Sequence, residues 1–194
     1  GWHANRDWSY HNYRDSDIKT YVAAAEALAN MGYTVFRMGA IVKERLVSTH
    51  PRVIDYATNG MRTEFLDIFL GAHCSFTVST GSGWDNVPTI FRRPVLWVNH
   101  LPIFDTFGLT IPITIYSKAL LDIQNKSVLN LKDSIDRGIA NSFNSQAYKD
   151  AGVEIRDLSS EELVEAVTEM AQRVEGTFVE TPEQKEMQAK LKHI

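Results

Sequence analysis

The chain has 194 residues, 44% of them hydrophobic, and a net charge of −4, the composition of a globular protein long enough for one well-buried domain. Its basic and acidic residues are interspersed, which excludes broad electrostatic binding to nucleic acid or to an anionic membrane surface. The lone cysteine, Cys74, excludes an internal disulfide framework and a multi-cysteine metal site, and no apolar run approaches the length of a membrane span.

The chain does not begin with Met, and its first eight residues are polar, aromatic and irregular. Residues 1–15 are therefore expected to be an irregular lead-in from a missing N-terminal part. Ile18, Val22, Ala25 and Leu28 then recur at helical spacing, with Asp15 or Ser16 as the expected N-cap and Gly32 as the stop. Asp15-Ser16-Asp17 spells D-x-D, a pattern with which some glycosyltransferases hold a metal and a sugar nucleotide. Polar residues precede it where an apolar strand would be needed to aim the carboxylates, and acidic groups in a first helical turn are explained by the helix dipole. No metal is expected there.

Residues 33–39 read as a strand that Arg37 interrupts near its carboxyl end; the forked guanidinium of an arginine at such a rim suits a phosphate or a base edge. Pro51 and Asn59-Gly60 mark turns around a short strand at 53–56. Phe65, Leu66, Ile68, Phe69 and Leu70 define a helix ending at Gly71. Glu64 at its start is an acidic residue of the kind that accepts from a ribose hydroxyl, although surface helices carry many such groups.

The most informative stretch is F-T-V-S-T-G-S-G-W-D-N-V-P, residues 76–88. A β-branched run ends in small residues and glycines, a short helix follows, and after Arg92-Arg93-Pro94 a second strand begins at Val95. A turn of this composition after a parallel strand presents backbone N–H groups to an anion. Thr80, Gly81, Ser82 and Gly83 form the candidate phosphate loop, and Asp85 either caps the next helix or contacts a sugar or ribose hydroxyl. The loop is neither a Walker loop, which requires a lysine after the glycines, nor G-x-G-x-x-G.

Beyond Asn99 a proline-spaced loop runs through Pro112, followed by a candidate strand at 113–116 and short helices at 131–138 and 141–150. Ser159-Ser160-Glu161-Glu162 is a capping box opening a helix with Leu163, Val164, Val167, Met170 and Ala171 on one face. Thr181-Pro182-Glu183 starts a last, highly charged helix. The expected organisation is a main domain over 16–176 and a helical extension over 177–194.

Y-H-N-Y-R-D-S-D-I, the strand ending R-M-G at Gly39, R-T-E-F-L-D-I-F-L, and S-T-G-S-G-W-D-N-V-P-T-I-F-R-R-P-V-L-W-V-N, in this order, resemble a family of bacterial glycosyltransferases of GT-B type linked to surface polysaccharide synthesis. Trp84 stands where that family usually has a small or apolar residue. The resemblance implies an α/β fold, a Rossmann-like parallel sheet flanked by helices, corresponding to the C-terminal, donor-binding half of a GT-B enzyme. It implies a nucleotide-sugar donor, for which Arg37, Gly39, Glu64, Thr80, Gly81, Ser82, Gly83 and Asp85 are the candidate contacts. Arg14 and His11 are the candidates for catalytic work. It further implies a glycan or lipid-linked acceptor, a partner domain on the N-terminal side, no nucleic acid, no metal cofactor, and a cytoplasmic location with peripheral attachment at the inner membrane as one option. A sugar-nucleotide epimerase of similar architecture and a non-catalytic nucleotide-binding module are the alternatives.

Overall fold

In the computed structural model, residues 9–103 and 113–191 are described, with the backbone alone for 9–11 and 191. A 3₁₀ turn, Ile18–Tyr21, leads into helix α1, Val22–Asn30. The cap is Asp17, which accepts from the Lys19 N–H at 2.9 Å, in place of the expected Asp15 or Ser16. The extra 3₁₀ turn ahead of α1 moves the first unsatisfied N–H groups, and with them the capping position.

Strand β1 is Val35–Phe36 and β2 is Val53–Ile54, paired in parallel. Helix α2, Glu64–His73, opens where the Leu66 N–H donates to Thr63 Oγ1 at 3.0 Å. It is followed by β3 (Thr77–Ser79), the short α3 (Asn86–Ile90), β4 (Val95–His100) and β5 (Ile113–Ser117). Strands β3, β4 and β5 form a parallel ladder in that order. The chain then passes directly into β6, Ala119–Asp122, the centre of an antiparallel sheet flanked by β7 (Ser127–Val128) and β8 (Val153–Arg156). Helices α4 (Leu131–Asp136) and α5 (Ser145–Asp150) lie between β7 and β8, and α6 (Ser160–Glu175) and α7 (Pro182–Leu191) follow.

The larger core forms because α6 presents Leu163, Ala166, Val167, Met170 and Ala171 at helical spacing on one buried face. Ser159 and Glu162 cap its start reciprocally, and Gly176 in the left-handed region ends it. This face meets Ala24 and Leu28 of α1, and together the two helices cover Leu96 and Val98 of β4. Val35 of β1, Val78 of β3 and Tyr116 of β5 pack under the same helical layer. Both parallel ladders therefore share one covering layer. Tyr116 also donates its hydroxyl to Glu169 of α6 at 2.6 Å.

A second, smaller core gathers Leu120, Val153, Ile139 and Tyr148 around the antiparallel sheet, together with Leu101 from the end of β4. Tyr13, from the 3₁₀ turn Ser9–Arg14, is buried in it, its ring 6.0 Å from that of Tyr148. The fold is mixed α/β with parallel strands flanked by helices, as the sequence implies. The antiparallel addition after β5 is a feature the sequence pattern does not announce.

Candidate functional site

The turn after β3 lies at the carboxyl end of a parallel strand, the edge at which ligands bind in open α/β sheets. Thr80 and Gly81 are half-buried, and Ser82 and Gly83 are exposed, so the turn faces solvent. Gly81 has φ +83, a left-handed conformation that side chains rarely adopt. The loop's shape is fixed from within by Asp85, which is 5% exposed. Its carboxylate accepts from the Ser82 N–H at 2.9 Å, from Ser82 Oγ at 3.2 Å and from Trp97 Nε1 at 3.1 Å. Burial pushes the Asp85 carboxyl above its ordinary range, and hydrogen bonds from Ser79, Ser82 and Trp97 oppose that shift. The acceptor sites of Asp85 thus serve the loop itself, in keeping with the capping role.

Trp84 folds away from the turn onto α2. A Cβ built on Gly71 would lie 3.1 Å from its Cζ2 and 2.7 Å from Val87 Cγ1, so the absence of a side chain at 71 is what lets the indole and α3 pack there.

Below the turn sit two residues to which the sequence pattern assigns no role at the site. Trp97 and His100 of β4 stack with ring centroids 4.5 Å apart and planes inclined by 15°. In an unbroken strand residues 97 and 100 face opposite ways. Here the pairing register with β5 shifts between Val98 and His100, and Asn99 takes a left-handed φ of 51°, which turns His100 onto the Trp97 face. Asn99 holds this bulge by accepting from the Leu158 N–H at 2.7 Å and donating to the Tyr21 hydroxyl at 2.8 Å. The imidazole of His100 lies directly under the turn, with Nδ1 3.1 Å from where a Gly81 Cβ would stand.

The other candidates lie on separate elements, each held by its own local contacts. Arg37 follows β1 and is held by Asp55, Nη1 to Oδ1 3.3 Å, with both side chains mostly buried. Asp55 also accepts from the Leu46 N–H and the Thr58 hydroxyl, so this carboxylate organises the loop after β1. Gly39 has φ +153, and a Cβ there would meet Val42 Cγ1 at 2.6 Å. Glu64 is the exposed first residue of α2. Arg14 donates through Nε to the Tyr13 hydroxyl at 3.0 Å, which places it beside the smaller core. His11 lies on the same 3₁₀ turn, and its side chain is outside the described residues. Asp17 of the D-x-D sequence is engaged in capping, and among the described residues no group of three or more His, Cys, Asp or Glu is placed to hold a metal.

The class defined by this fold and loop is an α/β protein with a glycine turn at the carboxyl edge of a parallel sheet. Comparison with protein-family models, with curated proteins and with solved structures finds no match. No helix among the described residues is long and apolar enough to cross a membrane.

Proposed function

We propose that this chain is the nucleotide-sugar-binding portion of a glycosyltransferase of GT-B type, transferring a sugar to a glycan or lipid-linked acceptor in bacterial surface polysaccharide synthesis. The observation that carries the reading is the solvent-facing turn of Thr80–Gly83, placed at the carboxyl edge of the parallel ladder and braced by the buried Asp85. Sugar transfer from a nucleotide donor builds negative charge on the departing diphosphate. With the Ser82 N–H and hydroxyl given to Asp85, the Thr80 hydroxyl and the other backbone N–H groups of the turn are the donors that stabilise such charge, and no metal is needed in this scheme. Arg37, Gly39 and Glu64 border the same site in this reading, Arg14 and His11 are the chain's acid–base candidates, and the acceptor and remaining catalytic groups come from a facing domain. In this reading the protein is cytoplasmic, with peripheral attachment at the inner membrane as the option for reaching a lipid-linked acceptor.

The test is a thermal-shift and calorimetry panel of UDP, GDP, CMP and their sugars. A nucleotide bound at 100 times its Kd stabilises the native chain by about 2.7 kcal/mol. One nucleotide series is expected to raise the melting temperature with or without EDTA, and Gly81→Val to abolish the effect while far-ultraviolet circular dichroism stays native. No shift with any nucleotide, or an unchanged shift in Gly81→Val, overturns the reading.

A further inference from the structure

We propose that His100 is a positioning residue of the phosphate loop: with Trp97 and Asp85 it forms a buried wedge that holds the Gly81 turn in the shape a diphosphate requires. The proposal rests on the reading of the turn as a phosphate site. It is independent of which nucleotide or sugar is carried.

Four contacts close the wedge into a continuous path. Asp85, at the exit of the turn, fixes Ser82 through its N–H and hydroxyl. The same carboxylate receives the Trp97 indole N–H, which fixes the plane of the indole. His100 lies flat on that indole, and its Nδ1 edge faces Gly81, 3.1 Å from where a Cβ on that residue would stand. The middle and the exit of the turn are thus supported by two stacked rings and the carboxylate that holds them, all of it buried: Asp85, Trp97 and His100 are 5%, 8% and 3% exposed. The stack exists only because the Asn99 bulge brings residues 97 and 100 to one face. A flexible glycine turn has many conformations, and a ligand that selects one loses affinity in proportion to how rarely that one is populated. A rigid support beneath Gly81 removes that loss before the ligand arrives.

His100 does not touch the ligand in this arrangement, since its ring is covered by the turn. Its effect is therefore on the loop first and on affinity through the loop. A ring of the same flatness should do the same work, which distinguishes a wedge from a chemical group.

The experiment uses inorganic pyrophosphate as the probe, backbone amide NMR of Gly81, Ser82 and Gly83, and amide hydrogen exchange without ligand. His100→Ala is expected to raise exchange in the turn about tenfold or more while amides of β4 and α6 keep theirs, because the opening is local. It is expected to weaken pyrophosphate by a similar factor, and His100→Phe is expected to restore both. Trp97→Phe, which keeps the stack and removes the N–H to Asp85, should give an intermediate loosening and serves if His100→Ala does not fold. Unchanged loop exchange and pyrophosphate affinity in both His100→Ala and Trp97→Phe overturn the wedge, as does failure of His100→Phe to restore the loop. If pyrophosphate leaves the wild-type turn amides unshifted, the phosphate reading itself falls, while loop exchange still decides separately whether His100 shapes the turn.

Discussion

Lys118, buried just beyond β5, pairs through Nζ with Asp157 Oδ1 at 2.8 Å. The same ammonium donates to the Asp15 carbonyl at 2.7 Å, so one cation ties the entry to α1 and the entry to α6 to the end of the parallel sheet. Lys118→Met keeps the stem's volume and removes the charge. Because Asp157 is partly exposed and rehydrates, the expected loss is about 2 kcal/mol, less than breaking a fully buried pair costs. Urea unfolding measures it.

Gly71 inverts a familiar rule. Replacing a glycine inside a helix with alanine normally stabilises by about 1 kcal/mol. A Cβ at 71 would lie 2.7 Å from Val87 Cγ1, which belongs to a short helix with little room to retreat. Gly71→Ala is expected to destabilise by about 1–3 kcal/mol through overpacking. It is also expected to change the near-ultraviolet signal of Trp84, whereas a stabilised mutant with an unchanged signal would contradict the packing described.

Asp85→Ala removes the acceptor of the Trp97 indole N–H and leaves that donor buried. The expected cost is about 2 kcal/mol, the penalty of one unsatisfied buried donor. Asp85→Asn retains one acceptor oxygen and should lose less. Chemical denaturation of the two variants side by side reads the difference.

Acid stability follows from two carboxylates held well below their ordinary values. Asp122 is held at about 2, against an ordinary 3.8, first by the Asn125 N–H and then by Arg137. Glu162 is lowered to about 2, against an ordinary 4.5, first by Arg156 and then by the Ser159 N–H. A depressed folded pKa means that the unfolded chain binds protons first as pH falls, so stability is full above the ordinary values and drains away toward pH 2. Asp122→Asn and Glu162→Gln should each flatten this acid limb in a denaturation series. An unaltered limb in both would show that other carboxylates carry it.

Helix α7 should open long before the sheet. Thr181 and Gln184 cap its start reciprocally, yet Met187 is 66% exposed, in contrast to Val98, which is fully buried. A ten-residue helix with no buried residue among 182–190 has little beyond its own propensity to hold it. Hydrogen exchange is expected to show Met187 opening at low free energy and Val98 only on global unfolding.

The sequence made α6 visible because a capping box and an apolar stripe both mark it, and the β3 turn visible because glycines after a β-branched run are distinctive. The sheet β7-β6-β8 was hidden because Ala119 follows Ser117-Lys118 with no turn residue between, and because Val153–Arg156 is too short to display alternation. Arg37 was legible as a residue at the rim but its tie to Asp55 was not, since Asp55 lies 18 positions further on in a loop. The Trp97–His100 stack escaped for a different reason. It depends on one left-handed residue, Asn99, and a single backbone reversal leaves no periodic trace.

The layer that covers the sheet is assembled from opposite ends of the chain. Ser160, the first residue of α6, donates its hydroxyl to the Thr20 carbonyl across a separation of 140 positions. During synthesis α1 and β1 to β4 leave the ribosome with Leu96 and Val98 lacking half their cover until α6 emerges. Such long-range closure makes folding slow, and the late helix becomes the step that ends the nascent chain's exposure to aggregation and proteolysis.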